Sequence, residues 1–288
     1  SAASLGLWDW NLHSGMITGD HRWMAMRGLQ AGRGTPPAIS WTESLGPEDV
    51  LRMTTEVSRH ASNPETPFDA TCCIVRPHEK DRWLRNLGKI VSFDSSGQPL
   101  RMMGVSIDVT GQREQEMLLR RLAHYDTLTG LPNRVMLARR LAEGMEQAQA
   151  DGSLLGVAYL DLDGLKPVND RLGHDAGDRL LVIASQRLTR ALRPHDCVAR
   201  LGGDEFVILM PGLSNAQDCK HVLNLVMQSI ASPYQIGSDR VTVTASIGYT
   251  LYPQDDADAD TLLRHADQAM YAAKQGGRNR FHEFDATQ

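Results

Sequence analysis

The chain has 288 residues, of which 41% are hydrophobic and 23% charged, and these values are typical of globular rather than disordered proteins. Its length exceeds that of one ordinary domain and fits two. The formal net charge of -5 argues against a protein that wraps nucleic acid through a basic face, although a few Arg and Lys side chains can still hold a small anionic ligand.

Cysteine usage and hydropathy bear on the cellular compartment. The pattern of the cysteines shows neither a metal-ligand spacing nor a disulfide scaffold: Cys72, Cys73, Cys197 and Cys219. No apolar run approaches the length of a membrane span, and the first residues lack a signal-peptide pattern. We therefore expect a cytoplasmic chain with no membrane span of its own. An attachment to a membrane segment in a longer parent chain stays open.

Residues 1–110 show the alternation and the turn chemistry of short strands. Residues 8–12 alternate apolar and polar side chains before a turn at 13–15, and Pro47 marks a helix start. Turn residues at 78–81 and 94–97 then separate three predicted strands of an antiparallel meander, at 68–76, 82–93 and 99–109.

Three short motifs stand out in this region: Gly6-Leu7-Trp8-Asp9-Trp10, Arg82-Trp83-Leu84, and Gly104 with Asp108-Val109-Thr110. They resemble the PAS family of small sensor domains. The resemblance implies an antiparallel sheet with flanking helices and a sensing role, and it leaves the PAS ligand unknown. Isolated histidines are usually surface groups, but each of these is a candidate haem ligand: His13, His21 and His60.

A change of composition marks a connector after residue 110. Residues 111–122 are rich in Gln, Arg, Glu and Leu, which predicts a helix. Met117, Leu118 and Leu122 can share a stripe that meets a partner helix, or one that packs on the helix's own domain. The position between two domains favours a connector. We therefore divide the chain into a sensor domain at 1–110, a connector helix at 111–123 and a second domain at 124–288.

The second domain is predicted to be a ferredoxin-like βαββαβ arrangement, so that the whole chain is of the α+β class. An apolar strand at 155–163 ends in carboxylates, and residues 178–192 have a helical core face with a period of 3.6 residues. The order implies helices on one face of the sheet. The remaining elements are strands at 197–201, 206–210 and 241–250 and helices at 222–230 and 259–274.

Carboxylates gather at two strand ends of this domain. The hairpin between the second and third strands has the tip Gly202-Gly203-Asp204-Glu205, whose glycines permit positive φ and a close approach of a ligand. Asp161 and Asp163 end the strand that neighbours the hairpin in such a sheet. Two consecutive carboxylates at a tip are by themselves more often a solvated turn. Together with Asp161 and Asp163 they indicate a Mg²⁺ site for a nucleotide.

Several motifs follow one another in a fixed order over about 124–284. They are YDTLTGLPNR at 125–134, DLDGLK at 161–166, ND at 169–170, GHDAGD at 173–178, RLGGDEF at 200–206, SIG at 246–248, AD at 266–267 and GRN at 277–279. Together they identify this region as resembling the GGDEF family of diguanylate cyclases, and the resemblance implies a nucleotidyl-cyclase-like form of the βαββαβ fold. The resemblance implies that the chain condenses two GTP molecules into cyclic di-GMP and releases two pyrophosphates. It also implies Mg²⁺ or Mn²⁺ as cofactor, and the intact tip favours an active enzyme.

By position in these motifs, the resemblance assigns the catalytic residues. Asp161 and Glu205 would ligate the metal with help from the backbone carbonyl of Leu162. Asp204 would lie beside the metals and the attacking 3′-hydroxyl, as a base or a second metal ligand. Such in-line phosphoryl transfer takes most of its catalysis from the placement of metals and cations.

The resemblance also assigns substrate and product contacts. Asn169 and Asp178 would read the guanine edge, and the remaining substrate-binding residues are Gly202, Gly203, Leu165, Lys166, Lys274 and Arg278. Arg193 and Asp196 have the spacing and position of the family's inhibitory product site. Taken one by one, these residues also fit helix capping, helix-dipole or surface ion-pair roles; their joint occurrence in family order favours the functional roles.

We expect a homodimer, because the product contains two equivalent bonds, each made by one GTP attacking the other. A second hypothesis is a catalytically silent module that binds GTP or cyclic di-GMP and regulates a partner. A third, an adenylate or guanylate cyclase on a similar fold, is disfavoured by the tip and by the guanine-reading pair.

Overall fold

The computed structural model describes residues 5–29, 38–63, 65–76 and 79–285, and it divides into two compact units, Ser1–Leu118 and Leu119–Gln288. The elements of the first unit are β1 (Leu5–Asn11), β2 (Met16–Gly19), α1 (His21–Met26), β3 (Ile39–Ser40), α2 (Pro47–Ser62), β4 (Phe68–Ile74), β5 (Arg82–Phe93), β6 (Pro99–Asp108) and α3 (Thr110–His124), the last of which crosses the boundary.

The first unit is built on one antiparallel six-stranded sheet of order β3-β2-β1-β6-β5-β4. The predicted meander is confirmed in β4, β5 and β6, and Pro47 is the first residue of α2. Of the predicted turn at 78–81, His78 lies outside the described residues. One face of the sheet carries the apolar core, in which α1 contributes Trp23 and β1 contributes Trp8 and Trp10.

Glycines make room for the tryptophans of this core. A Cβ on Gly104 would lie 2.3 Å from Trp8 and 2.1 Å from the carbonyl oxygen of Leu87, and one on Gly88 would lie 2.4 Å from Trp8. Real Cβ atoms do not approach other atoms this closely. The two glycines therefore let the Trp8 ring lie directly against the backbone of β5 and β6.

Of the three histidines considered as haem ligands, His60 differs from the expectation of a surface group. It is fully buried, its Nδ1 donates to the carbonyl oxygen of Thr66, and its Nε2 accepts from the Ile90 amide at 3.2 Å. Nε2 thus joins α2 to β5, Nδ1 holds the turn that follows α2, and both satisfy backbone groups. His13 and His21 are exposed.

Helix α3 confirms the predicted helix over 111–122 and extends it at both ends. All 15 of its residues are described, and none of them is buried. Its apolar side chains are among the most exposed in the described part of the chain: Met117, Leu118, Leu119 and Leu122.

The second unit contains α4 (Arg134–Asp151), β7 (Leu154–Asp163), α5 (Leu165–Leu172), α6 (His174–Ala191), β8 (Cys197–Gly202), β9 (Glu205–Leu213), α7 (Ala216–Ala231), β10 (Tyr234–Ile236), β11 (Asp239–Val241), β12 (Thr244–Tyr252), α8 (Ala259–Gln275) and β13 (Arg280–Glu283). Strands β10 and β11 form a separate hairpin, and the main sheet has the order β13-β12-β7-β9-β8. The order β12-β7-β9-β8, all antiparallel, is the predicted ferredoxin-like topology.

The expectation of helices on one face of this sheet is wrong, because α4 and α8 cover the second face. Even-numbered residues of β7, such as Leu160, pack with α6 and α7, while odd-numbered ones, such as Val157, pack with α4 and α8. Helix α8 comes so close that a Cβ on Gly248 of β12 would lie 1.9 Å from the Met270 amide nitrogen. Burial on both faces explains why β7 is apolar at nearly every position.

None of the helices in the described ranges is both long enough and apolar enough to cross a membrane.

Candidate active site

The structure brings the predicted carboxylates together where two inner strands of the sheet, β7 and β9, meet the hairpin tip. Asp161 of β7 and Glu205 of β9 are direct partners in the strand register, so their side chains project from the same face. The Leu162 amide donates to the carbonyl oxygen of Asp204 at 3.2 Å and continues the pairing into the tip. The two carboxylates predicted from separate motifs are therefore neighbours.

Asp161 carries an ion pair with a basic residue from α8. Lys274 Nζ lies 2.8 Å from Asp161 Oδ2, and Asp161 is 9% exposed. Burial raises the pKa of Asp161 above its usual range, Lys274 partly opposes this rise, and the charges of Asp204 and Asp163 add to it. The site thus has more negative charge than its lysine balances.

Glu205 is held by a residue to which the sequence analysis gave no role. The Tyr159 hydroxyl donates to Glu205 Oε2 at 3.0 Å, and burial, followed by the charge of Glu205, raises the pKa of this phenol. Burial, followed by the charge of Glu205, also raises the pKa of Asp267 on α8. In the sequence, Tyr159 looks like one more apolar residue of a buried strand. The only signal that could have revealed it is the alternation of side chains along the strand, which puts Tyr159 and Asp161 on the same face.

The two glycines of the tip are accessible to a ligand, and an arginine holds the backbone of the tip through hydrogen bonds. Gly202 has φ 153° and Gly203 φ 49°, and a Cβ on either would meet no atom within 4 Å. Arg200 donates from Nε and Nη2 to the Gly203 carbonyl oxygen at 3.0 and 2.8 Å, and from Nη1 to Asp126 Oδ1 at 2.9 Å. Burial alone would raise the pKa of Asp126, but hydrogen bonds from Thr129 and Arg200 lower it.

Neighbouring side chains already donate hydrogen bonds to the carboxylate of Asp163. It accepts hydrogen bonds from the hydroxyls of Thr244 at 2.7 Å and Ser246 at 2.9 Å, and Arg278 Nε lies 3.7 Å from its Oδ1. These contacts join β7 to β12 and to the loop after α8. Asp163 is thus a structural anchor of the site edge, and it positions Arg278, which is exposed.

The predicted guanine-reading residues lie on two helices that pack together, α5 and α6. Asn169 Oδ1 is buried with no partner among the described residues, and a Cβ on Gly177 would lie 1.8 Å from it. Asp178 is exposed beside this contact. A buried amide oxygen without a donor is costly, so this position suits a ligand that supplies one.

The residues expected to line the phosphates differ in exposure. Leu165 is buried in the core on the α6 side, so only its backbone can face a ligand, whereas Lys166 is exposed. Gly164, just before them, has φ 91° and begins α5 in a conformation that favours glycine.

Arg193 and Asp196 form a pair of their own before β8. Arg193 Nη2 lies 2.8 Å from Asp196 Oδ1, and the Arg193 amide also donates to this carboxylate at 2.9 Å. The hydrogen bond with Asp196 raises the pKa of Arg193. The Asp196 side chain is fully buried beneath an arginine that is 43% exposed.

A sequence model described as diguanylate cyclase, GGDEF domain, matches residues 123–280, which is more than half of the chain. The chain belongs to the GGDEF family. A PAS fold model matches residues 16–106, so a PAS domain precedes the GGDEF domain.

Relatives and solved structures agree with this assignment. The chain is 43% identical over 166 residues to MucR of Pseudomonas aeruginosa, a bifunctional diguanylate cyclase and cyclic di-GMP phosphodiesterase, covering 58% of this chain and 24% of MucR. The crystallised GGDEF domain of TpbB from the same organism has 38% identity and a TM-score of 0.54, covering 56% of this chain and 95% of that one.

A further structure contains the product nucleotide. The coiled coil and GGDEF domain of DgcB from Caulobacter crescentus, in complex with c-di-GMP, has 30% identity and a TM-score of 0.53 and covers 61% of this chain and 93% of that one. The chain spans between 20% and 38% of the length of the curated relatives MucR, NbdA and TpbB.

Proposed function

We propose that the chain is a diguanylate cyclase that condenses two GTP molecules into cyclic di-GMP and two pyrophosphates. The observation that carries the proposal is the opposed pair Asp161 and Glu205 beside an open Gly-Gly tip, with Lys274 at 2.8 Å from Asp161. Similarity to cyclases supports it, and the presence of both carboxylates favours an active site over a degenerate one.

The donor set at the tip fits Mg²⁺ or Mn²⁺. Within 5–29, 38–63, 65–76 and 79–285, no three His, Cys, Asp or Glu side chains are grouped closely enough to hold a metal by themselves. Asp161 and Glu205, with the carbonyl of Leu162, supply oxygen ligands, and Mg²⁺ usually takes one or two carboxylates and fills its shell with phosphate and water. Excess negative charge around Asp161 supports the same conclusion. A bound cation would polarise the α-phosphate and balance charge in the transition state.

The other residues of the site orient the nucleotide. Asp204 at the tip accepts or directs the proton of the 3′-hydroxyl that attacks the α-phosphate. Lys166, Lys274 and Arg278 contribute positive charge to the phosphates, with the backbone of Gly202, Gly203 and Leu165 beside them. Asn169 and Asp178 bind the guanine edge, where the carboxylate accepts from the ring N–H and the amino group. Cation placement of this kind is the main source of catalysis in phosphoryl transfer.

We also propose how the domains cooperate. The PAS domain at 1–110 senses a signal, the connector at 111–123 transmits it, and the domain at 124–288 catalyses. The active form is a homodimer, because one shallow half-site holds one GTP and the two bonds of the product require two GTP molecules facing each other. Cyclic di-GMP inhibits by binding at Arg193 and Asp196.

The test is incubation with GTP and Mg²⁺ followed by chromatography for cyclic di-GMP. We expect Glu205→Gln to abolish synthesis, because the loss of one anionic oxygen weakens a hard-cation site with few protein ligands. Glu283→Gln is the matched control, since Glu283 likewise accepts a hydrogen bond from a tyrosine, Tyr249 at 2.7 Å. Undiminished turnover of Glu205→Gln at limiting Mg²⁺ would refute the assignment.

A silent binding module is the second candidate. MucR has both cyclase and phosphodiesterase in its name, so similarity alone does not distinguish an active cyclase from a nucleotide-binding domain in a larger enzyme. The same incubation separates the two: tight binding of GTP or cyclic di-GMP by the wild-type chain, with no synthesis at any Mg²⁺ concentration, would establish the silent module.

A further inference from the structure

Tyr159 and Glu205 are diagonal neighbours on the face of the sheet that α4 and α8 cover. Tyr159 is opposite Val207 in the register, two residues along β9 from Glu205, and Glu205 is opposite Asp161. Side chains at such diagonal positions are within reach of each other when one is aromatic. The Tyr159 hydroxyl uses this placement to donate to Glu205 Oε2 at 3.0 Å.

The hydroxyl has no role in packing the core. Tyr159 is 9% exposed and packs in the apolar cluster with Val157, Val207 and Met270, where the ring of a phenylalanine would fill the same space. Among the described residues, Glu205 Oε2 accepts from this hydroxyl while Oε1 has no hydrogen bond or ion pair. One oxygen of the carboxylate is therefore held and the other is left available.

We propose that Tyr159 is a positioning residue that fixes the rotamer of Glu205, so that Glu205 Oε1 is presented to the divalent cation beside Asp161. The inference rests on the proposed function, because it needs a metal at the tip. Glu205 has three side-chain torsions, and holding one carboxylate oxygen removes most of that freedom before the cation arrives. Residues that hydrogen-bond to metal ligands commonly change metal affinity without touching the metal.

The experiment measures Mn²⁺ binding directly. The full chain is titrated with Mn²⁺, and the free ion is followed by electron paramagnetic resonance, for the wild type and for Tyr159→Phe, Tyr249→Phe and Glu205→Gln. Tyr249→Phe is the matched control, since it also removes a tyrosine-to-glutamate hydrogen bond from a buried ring of the same sheet. Circular dichroism at the titration temperature verifies that each variant is folded.

We expect Tyr159→Phe to weaken Mn²⁺ binding about tenfold or more, in the usual range for partners of metal ligands. Tyr249→Phe should bind as the wild type does, and Glu205→Gln should lose the site. Wild-type affinity in Tyr159→Phe, with binding still dependent on Glu205, would overturn the positioning role alone. Absence of a Glu205-dependent site in the wild type, both in the chain alone and with a non-hydrolysable GTP analogue bound, would overturn both the metal assignment and this inference.

The dependence of synthesis on Mg²⁺ gives a second readout. Because Tyr159 acts only through Glu205, the Mg²⁺ concentration for half-maximal synthesis should rise in Tyr159→Phe, with kcat largely recovered at saturating Mg²⁺. A merely structural role would lower kcat at every Mg²⁺ concentration, and that pattern would contradict the proposal.

Discussion

Arg193 and Asp196 already form an ion pair with each other, and this affects their proposed role in product binding. The guanidinium covers a carboxylate that has no exposed surface of its own, and it also approaches the Pro211 carbonyl oxygen at 3.4 Å. A ligand at this position meets the outer, exposed edge of the arginine first. Arginine offers a planar fork of donors that matches phosphate oxygens or the acceptor edge of guanine.

We expect Arg193→Ala to relieve inhibition by cyclic di-GMP while leaving catalysis in place. A hydrogen bond to a charged group contributes about 1.5–3 kcal/mol, and about 1.4 kcal/mol corresponds to a factor of ten. The inhibition constant should therefore rise about tenfold or more. Initial rates against added cyclic di-GMP measure it.

The control for this prediction is Arg139→Ala, which removes another exposed arginine from an ion pair, with Glu143 on α4. It should leave the inhibition curve of the wild type unchanged. Identical curves for Arg193→Ala and the wild type would mean that Arg193 and Asp196 are only a surface ion pair.

Some contacts of the site could be predicted from the sequence and others could not. The meeting of Asp161 and Glu205 was predictable, because the βαββαβ order makes their strands neighbours. The contact between Tyr159 and Glu205 was not, because an apolar strand does not reveal which of its rings has a polar partner. The sequence placed Asp163 at the same strand end as Asp161, but it could not show that Asp163 accepts hydrogen bonds from Thr244 and Ser246, which lie 81 and 83 residues further along the chain.

At the scale of the elements, the sheet of the PAS unit depends on its glycines. Gly88 and Gly104 are direct partners in β5 and β6, and the Trp8 ring lies against both. A methyl group on either would have to displace the ring or the backbone of the neighbouring strand. Overpacking of this kind is destabilising because a filled core has no volume to give.

We expect Gly104→Ala to lower the free energy of unfolding of the PAS unit by about 3 kcal/mol or more, at the upper end of the effects of overpacking. All five tryptophans of the chain lie in its first 83 residues, so their fluorescence during urea unfolding reports on this unit alone. Gly111→Ala is the control, since a Cβ there meets no atom within 4 Å. Equal stability of Gly104→Ala and the wild type would contradict the close packing of Trp8.

Most elements were predictable from periodicity and turn residues, and the failures have different causes. Helix α4 was missed, and the helices were expected on one face although the continuous apolar pattern of β7 is typical of a strand buried on both faces. The hairpin of β10 and β11 and the edge strand β13 are only three or four residues long, too short to show a period.

At the scale of the whole molecule, α3 is a helix of which no residue is buried. Its exposed Met117, Leu118, Leu119 and Leu122 form an apolar surface that a second copy of the same helix can cover. The proposed reaction needs two GTP molecules in opposite orientations, and a dimer paired through α3 is one way of bringing two active sites together.

We expect specific activity to fall on dilution as the dimer dissociates. Replacing Leu118 and Leu122 by Glu should shift the midpoint of this fall to higher protein concentration, because two like charges then face each other across the pair. Val135→Glu, at another exposed apolar position, on α4, is the control. Constant specific activity through full dissociation, shown by sedimentation, would contradict an obligatory dimer.

Arg200 links the segment that follows α3 to the Gly-Gly tip through its contacts with Asp126 and the Gly203 carbonyl oxygen. Asp126 comes two residues after the last residue of α3, and its carboxylate holds the guanidinium that holds the Gly203 carbonyl oxygen. If Asp126 moves with the last turn of the helix, the tip either moves as well or loses the ion pair that fixes the Gly203 carbonyl oxygen. In the first case Asp204 and Glu205 change position relative to Asp161, so that a rotation of the helix would alter the geometry of the proposed cation site.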